Sequence, residues 1–180
     1  ALAWSLGIPV VSVDHVQAHL FAPCLNTIVG ETYPAYPALG LVVSGGHTSL
    51  YRCESPTLVR KLGSTIDDAV GEAFDKVAAI LGLPFPGGPN VDRLAATGNP
   101  DALKLPISRL GPESLDFSFS GLKTAVLYAC RGVPPHPSRV GRPPKPNAQP
   151  APTYTKEDIA ASFQAAAIAA LVLKIRRAMD

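Results

Sequence analysis

His15 and His19 stand four residues apart. On a helix that spacing sets both imidazoles on one side, the arrangement of a two-histidine metal grip. The alternative is a pair of half-buried histidines with no ligand. The zinc-protease signature H-E-x-x-H needs a glutamate directly after the first histidine. Position 16 is Val and position 17 is Gln, so the general base of such a protease is missing. Two imidazoles also leave a first-row metal short of ligands, and a third has to come from elsewhere.

A second candidate is Val42-Val43-Ser44-Gly45-Gly46-His47-Thr48. Two glycines after an apolar run let backbone amides approach a phosphate, because no Cβ intervenes. The same residues also suit an ordinary hairpin turn. The dinucleotide fingerprint G-x-G-x-x-G is absent. Gly121-Leu122-Lys123-Thr124 fails as a P-loop, since Leu122 separates glycine from lysine. A third candidate is the carboxylate stripe Asp68, Glu72 and Asp75, at i, i+4 and i+7. It reads either as a solvated helix face or, with Gly88 and Asp92 nearby, as a pocket for sugar hydroxyls or a metal.

These residues need elements to hold them. Ile8 to Val13 is β-branched and predicts a buried strand. Asp14 is a plausible N-cap for a helix reaching about Leu25. Leu39–Val43 and Thr48–Cys53 predict two strands joined by the Ser44–His47 turn. Ser64 to Leu81 predicts a helix. Thr65-x-x-Asp68 is its capping box, Asp67 and Asp68 lie in its first turn, and Val70, Phe74, Val77 and Leu81 form one apolar face. Pro86-Gly87-Gly88-Pro89 predicts a rigid turn, followed by a short helix over Val91–Thr97. Further helices are expected from about Gly121 and over Thr155–Met179.

The chain has 180 residues, 47% hydrophobic and 17% charged, which excludes a disordered chain. Polar residues, glycines and prolines interrupt the apolar runs, so no membrane span is expected. Residues 131–153 hold eight prolines, the cations Arg131, Arg139, Arg142 and Lys145, and no acid. They read as a polyproline-like insertion or linker. They account for the net charge of +2, the remainder being slightly acidic. Cys24, Cys53 and Cys130 form no paired framework, which favours a reducing interior. The helical patterns running into both ends give the expectation of a piece of a longer protein. Strands and helices in irregular alternation predict an α/β or α+β fold with a mixed sheet.

In order along the chain come DHVQAHLFAP, LVVSGGHTSL, DDAVGEAFDKVAAILGLPFPGGPNVD and LDFSFSGLKTAV. Together they resemble the universal tRNA adenosine threonylcarbamoyltransferase family, once called O-sialoglycoprotein endopeptidase or glycoprotease. GEAFDKVAAILGL is closer to its bacterial branch. The match covers about residues 1–130 and, more weakly, 155–180. The resemblance implies an actin-like, sugar-kinase-like ATPase fold in an incomplete two-lobe piece. Residues 1–130 and 154–180 would belong to the transferase domain, with 131–153 inserted between them.

It also implies transfer of threonylcarbamoyl from threonylcarbamoyl-AMP to N6 of adenosine 37, in tRNAs reading codons that begin with A. By resemblance His15 and His19 hold iron or zinc. Val42, Val43, Ser44, Gly45, Gly46, Asp75, Gly88 and Asp92 bind the adenylate. The family's third metal ligand, an aspartate, would fall past Asp180, so this piece alone is expected to be inactive. The implied partners are tRNA, an adenylate-forming synthase, a transferase paralogue and an ATPase, in a cytoplasmic setting or an organelle matrix. Rival readings are another ATP-binding enzyme of the sugar-kinase fold, a non-catalytic binding module, and the old protease assignment.

Overall fold

A computed structural model describes residues 1–22, 36–55, 57–132 and 153–180. The order is α1 (Leu2–Leu6), α2 (His15–Phe21), β1 (Ala38–Val43), β2 (Thr48–Cys53), β3 (Val59–Ser64), α3 (Val70–Leu81), α4 (Gly87–Ala95), α5 (Ser120–Arg131) and α6 (Lys156–Met179). This is an α/β chain. Among the described residues its sheet is antiparallel rather than mixed, in the order β1-β2-β3. Among the same residues an isolated parallel bridge joins Thr65 and Phe117.

The β1–β2 hairpin forms in the expected register, Val43 opposite Thr48. Ser44 closes it. Its N–H donates to the His47 carbonyl at 2.8 Å, and its Oγ accepts from His47 N at 3.0 Å. The two sheet faces differ. Leu50 enters the main core. On the opposite face Gly40 lies under α2, where a Cβ would come within 2.6 Å of Leu20 Cδ2.

The main core joins Leu50 to one face of α3 (Val70, Ala73, Val77, Leu81) and to Phe117, Phe119, Leu122, Val126 and the Ala-rich stripe of α6. Phe74 meets Phe163 edge to face, with centroids 4.8 Å apart. Helix α6 opens as its sequence predicts: Thr155 Oγ1 accepts from Asp158 N at 3.1 Å. By length and mean hydropathy α6 is long and apolar enough to cross a membrane, which the interrupted apolar runs of the sequence do not lead one to expect. Its stripe Ile159, Phe163, Ala166, Ala167 and Ala170 is packed in the core. Lys174, 1% exposed, donates to the carbonyls of Arg109 and Ser114 at 2.8 and 2.7 Å.

Three local expectations are corrected. Residues 8–13 form no strand: a strand needs a neighbour for its N–H and C=O groups, and none pairs with them among the described residues. The expected helix to about Leu25 is seen over His15–Phe21 with Ala22 as its C-cap, and residues 23–25 lie outside the described ones. The expected helix from Ser64 begins only at Val70, and Val59–Ser64 is instead a third strand. Thr65 is not its cap, because the Thr65 hydroxyl donates to the Asp68 carbonyl at 2.7 Å and makes a local turn that competes with helix. Finally, Gly87-Gly88-Pro89 is the first turn of α4, a place where proline costs no hydrogen bond. The expected 131–153 insertion falls largely on 133–152, outside the described residues. Arg131 is the last residue of α5.

Candidate adenylate site and histidine pair

Helix α3 begins without a side-chain cap of its own. Its first N–H, from Val70, donates to Thr48 Oγ1 at 2.9 Å. This buried bond ties the start of β2 to the start of α3. Gly71 makes the approach possible: a Cβ there would come within 2.6 Å of the Ser44 carbonyl and 2.9 Å of Gly45 N. The first turn of α3, the positive end of its dipole, therefore lies against the Gly45–Gly46 turn. Gly46 N donates to Ser44 Oγ at 3.3 Å, while Gly45 N–H has no acceptor among the described residues.

One turn along α3 stands Asp75. Its Oδ1 accepts from Gly87 N at 2.7 Å and so caps α4 from outside. Gly87 is required there, since a Cβ would come within 2.5 Å of Asp75 Cα. Gly88 next to it has open space where a Cβ would be. Asp92, one turn into α4, accepts from Gln164 Nε2 at 2.6 Å. Val42 is buried under the hairpin, whereas Val43, Ser44, Gly45 and Gly46 are exposed. The hairpin turn, Gly71, Asp75, Gly87 and Gly88 thus follow one another by direct contact or chain adjacency.

The carboxylate stripe does not act as a unit. Asp68 and Glu72 share Lys76, at 2.6 and 2.8 Å, and Lys123 lies 3.5 Å from Asp68. Hydrogen bonds that its ammonium donates to Asp68 and Glu72 push Lys76 above its usual range. Asp75 alone faces α4. Asp67 is not in the first turn of α3. It accepts from Ser118 Oγ, Phe119 N, Ser120 N and Ser120 Oγ at 2.5, 2.8, 3.3 and 2.8 Å, capping α5. Partial burial opposes its charge, but these bonds outweigh it and hold the carboxyl below the usual carboxylate range. Sequence reasoning missed Thr48, Asp67 and Gly71. Only Gly71, a glycine inside a helical pattern, left a signal.

Asp14 caps α2 as expected, its carboxylate accepting from Gln17 N at 2.8 Å. His15 and His19 share one exposed face, with Nε2 atoms 3.2 Å apart. Two nitrogens held at roughly 2.0–2.1 Å by a tetrahedral metal stand about 3.3 Å apart, so the pair fits one edge of such a site. Among the described residues no third histidine, cysteine or carboxylate joins it. A cleft of about 470 Å³ lies between α2 and the sheet, lined by Asp14, Gln17, His47, Ser49, Tyr51 and Lys61. It borders Gly46, but neither His15 nor Asp75 lines it.

The sequence model of TsaD, tRNA N6-adenosine threonylcarbamoyltransferase, matches residues 1–180. A protein of that name from Rhodopirellula baltica is 50% identical over 179 residues, which is 99% of this chain and 47% of the relative. One from Moorella thermoacetica is 47% identical over 176 residues, 97% of this chain and 46% of the relative. One from Anaeromyxobacter dehalogenans is 48% identical over 180 residues, 99% and 47% respectively. The chain spans about half the length of the curated relatives it matches. With its whole length matched, the chain belongs to the tRNA N6-adenosine threonylcarbamoyltransferase family.

Proposed function

We propose that this chain carries the adenylate-binding wall and the histidine pair of an enzyme that transfers threonylcarbamoyl from threonylcarbamoyl-AMP to N6 of adenosine 37 in tRNA. The fold it belongs to is the actin-like, sugar-kinase-like one. The observation that carries the reading is the contact series from Gly45 through Gly71 and Asp75 to Gly87 and Gly88. It matches the outline of a nucleoside phosphate: a glycine turn against a helix N-terminus for the phosphate, then a carboxylate beside open glycine backbone for the ribose hydroxyls.

In the reaction the adenosine N6 attacks the carbamoyl carbon of the mixed anhydride. The new N–C bond forms, the C–O bond to phosphate breaks, AMP leaves with the electron pair, and N6 loses a proton. Charge grows on the departing phosphate, where the Gly45 N–H and the first turn of α3 stabilise it. Asp75 and Asp92 orient the ribose by accepting its hydroxyls. To do so, Asp92 exchanges the Gln164 amide for a sugar O–H. His15 and His19 would hold iron or zinc together with a ligand from outside the described residues. When bound, that ion supplies Lewis-acid polarisation of the carbamoyl or phosphate oxygen. A synthase that makes the adenylate, a transferase paralogue and an ATPase are the expected partners.

The test uses the full-length protein with unmodified tRNA, threonine, bicarbonate, ATP, the adenylate-forming synthase and the helper proteins. Mass spectrometry of digested tRNA should show threonylcarbamoyladenosine, and the double variant His15→Ala/His19→Ala should abolish it. A metal-loaded protein that makes none would overturn the reading in favour of a different ATP-using enzyme of the same fold.

A further inference from the structure

Between α3 and α4 the chain runs Leu83-Pro84-Phe85-Pro86. Phe85 is 83% exposed, while Phe117, Phe119 and Phe163 are buried. The loop that shows this ring to solvent is braced. Asn90 Nδ2 donates to the carbonyls of both Pro84 and Pro86 at 2.9 Å, bridging the two residues that flank the ring. Proline fixes φ on either side. Gly87, which follows, is locked to Asp75. Arg93 donates from Nη1 to Asn90 Oδ1 at 3.1 Å. Among the described residues it has no carboxylate within ion-pair distance. A bare aromatic face and an unneutralised guanidinium are thus held by one amide side chain, beside Asp75 and Gly88.

An aromatic ring kept in water forgoes roughly 1.5–3 kcal/mol of burial. Rigid rings flanked by cations are how proteins hold unpaired bases, the ring taking the base face and the cation a phosphate. We propose that Phe85 is a stacking platform for an unpaired base of the tRNA beside the acceptor adenosine, and that Arg93 meets an adjoining phosphate. The identity of the RNA rests on the transferase reading above. The adenylate is the poorer occupant. Its phosphate and ribose already have the Gly45–Gly46 turn and Asp75, and it brings no second phosphate for Arg93.

The experiment measures binding of a labelled anticodon stem–loop to the full-length protein, together with the KM for the adenylate. Phe85→Ala should weaken stem–loop binding about tenfold and leave the adenylate KM unchanged, and Phe85→Trp should restore binding. Arg93→Gln should weaken binding and lower the slope of log affinity against log salt by about one. Unchanged stem–loop affinity in both variants overturns the proposal. So does a rise in adenylate KM with RNA binding intact, which would give the ring to the adenylate. Both side chains are solvent-facing, so unaltered melting temperatures should accompany every variant. If the wild type binds the stem–loop but makes no threonylcarbamoyladenosine, the transferase reading falls while the stacking test still stands on its binding data.

Discussion

The helical half of the chain and the stretch from Ile8 to Phe21 are both rich in apolar side chains, and they use them in opposite ways. In the first, Val77, Leu81, Phe119, Leu122, Val126 and Phe163 close on one another and leave almost no surface. In the second, Ile8, Val10, Val11 and Val13 are exposed, Val11 at 86%, and the helix that follows has no buried residue. Both regions carry large apolar side chains; the difference lies in the number of faces that meet. Each of α3, α5 and α6 packs extensively on neighbouring helices, whereas among the described residues the one extensive contact of α2 is with β1. The two proposed parts of the site sit on opposite sides of this divide: the proposed adenylate wall is built into the packed half and the histidine pair into the open one.

The largest effect expected from this contrast is on Phe163. It is fully buried and meets Phe74 edge to face. Phe163→Ala should remove about 3–5 kcal/mol, much of the 5–15 kcal/mol that typically holds a domain. Urea denaturation should show a transition shifted far to low denaturant, or none. A loss below about 1 kcal/mol would mean the helical half is not the cohesive unit described here.

A smaller effect belongs to Asp67, which joins the segment before α3 to the start of α5. Asp67→Asn keeps the shape and loses the charge, and should cost on the order of 1 kcal/mol, as caps do. Its pH dependence has a definite sign. The folded carboxyl is held below its ordinary value, so the folded state gives up this proton more readily than the unfolded one. The contribution is complete above about pH 4, the unfolded value, and is lost as pH falls through the folded value. Denaturation curves of wild type and variant should therefore differ most at neutral pH and converge on acidification. Divergence toward low pH would show that the hydrogen bonds do not favour the ionised form.

What the sequence disclosed and what it hid follow the same divide. The hairpin over 38–53 was legible because two short strand-like runs around a Gly-Gly turn are local signals. Helix α6 was legible because Thr155 and Asp158 mark its start. The start of α3 was not. Thr65 and Asp68 satisfy a capping rule three residues apart, yet the real acceptor is Thr48, 22 residues away on a strand. The role of Asp67 was hidden for the same reason, its partners being 51 to 53 residues distant. Asp75, Gly88 and Asp92 read as one pocket from their types and spacing alone. What sequence could not supply is that Gly87 and not Gly88 is the glycine pressed against Asp75. A stripe of carboxylates at helical spacing also cannot reveal that Lys76 will occupy two of its members.

The smallest effect is expected in the open segment, and it tests the contrast from the other side. Val11→Ser exchanges an apolar side chain that touches little for a polar one. In this 180-residue chain it should change stability by no more than about 0.5 kcal/mol, the usual range for a surface position. A β-branched run such as Ile8–Val13 becomes cohesive only when a strand pairs with it, and this chain is matched by relatives about twice its length. In a protein of that full length the same substitution should cost more, about 1–3 kcal/mol if the side chain is buried there, with slowed amide exchange over residues 9–13. Equal and negligible costs in both would show that the run stays solvated, and that the histidine pair beside it is held by α2 and the sheet alone. A large cost in the 180-residue chain itself would erase the distinction between the two regions. The helical core would then no longer be the separate, self-sufficient part of the molecule.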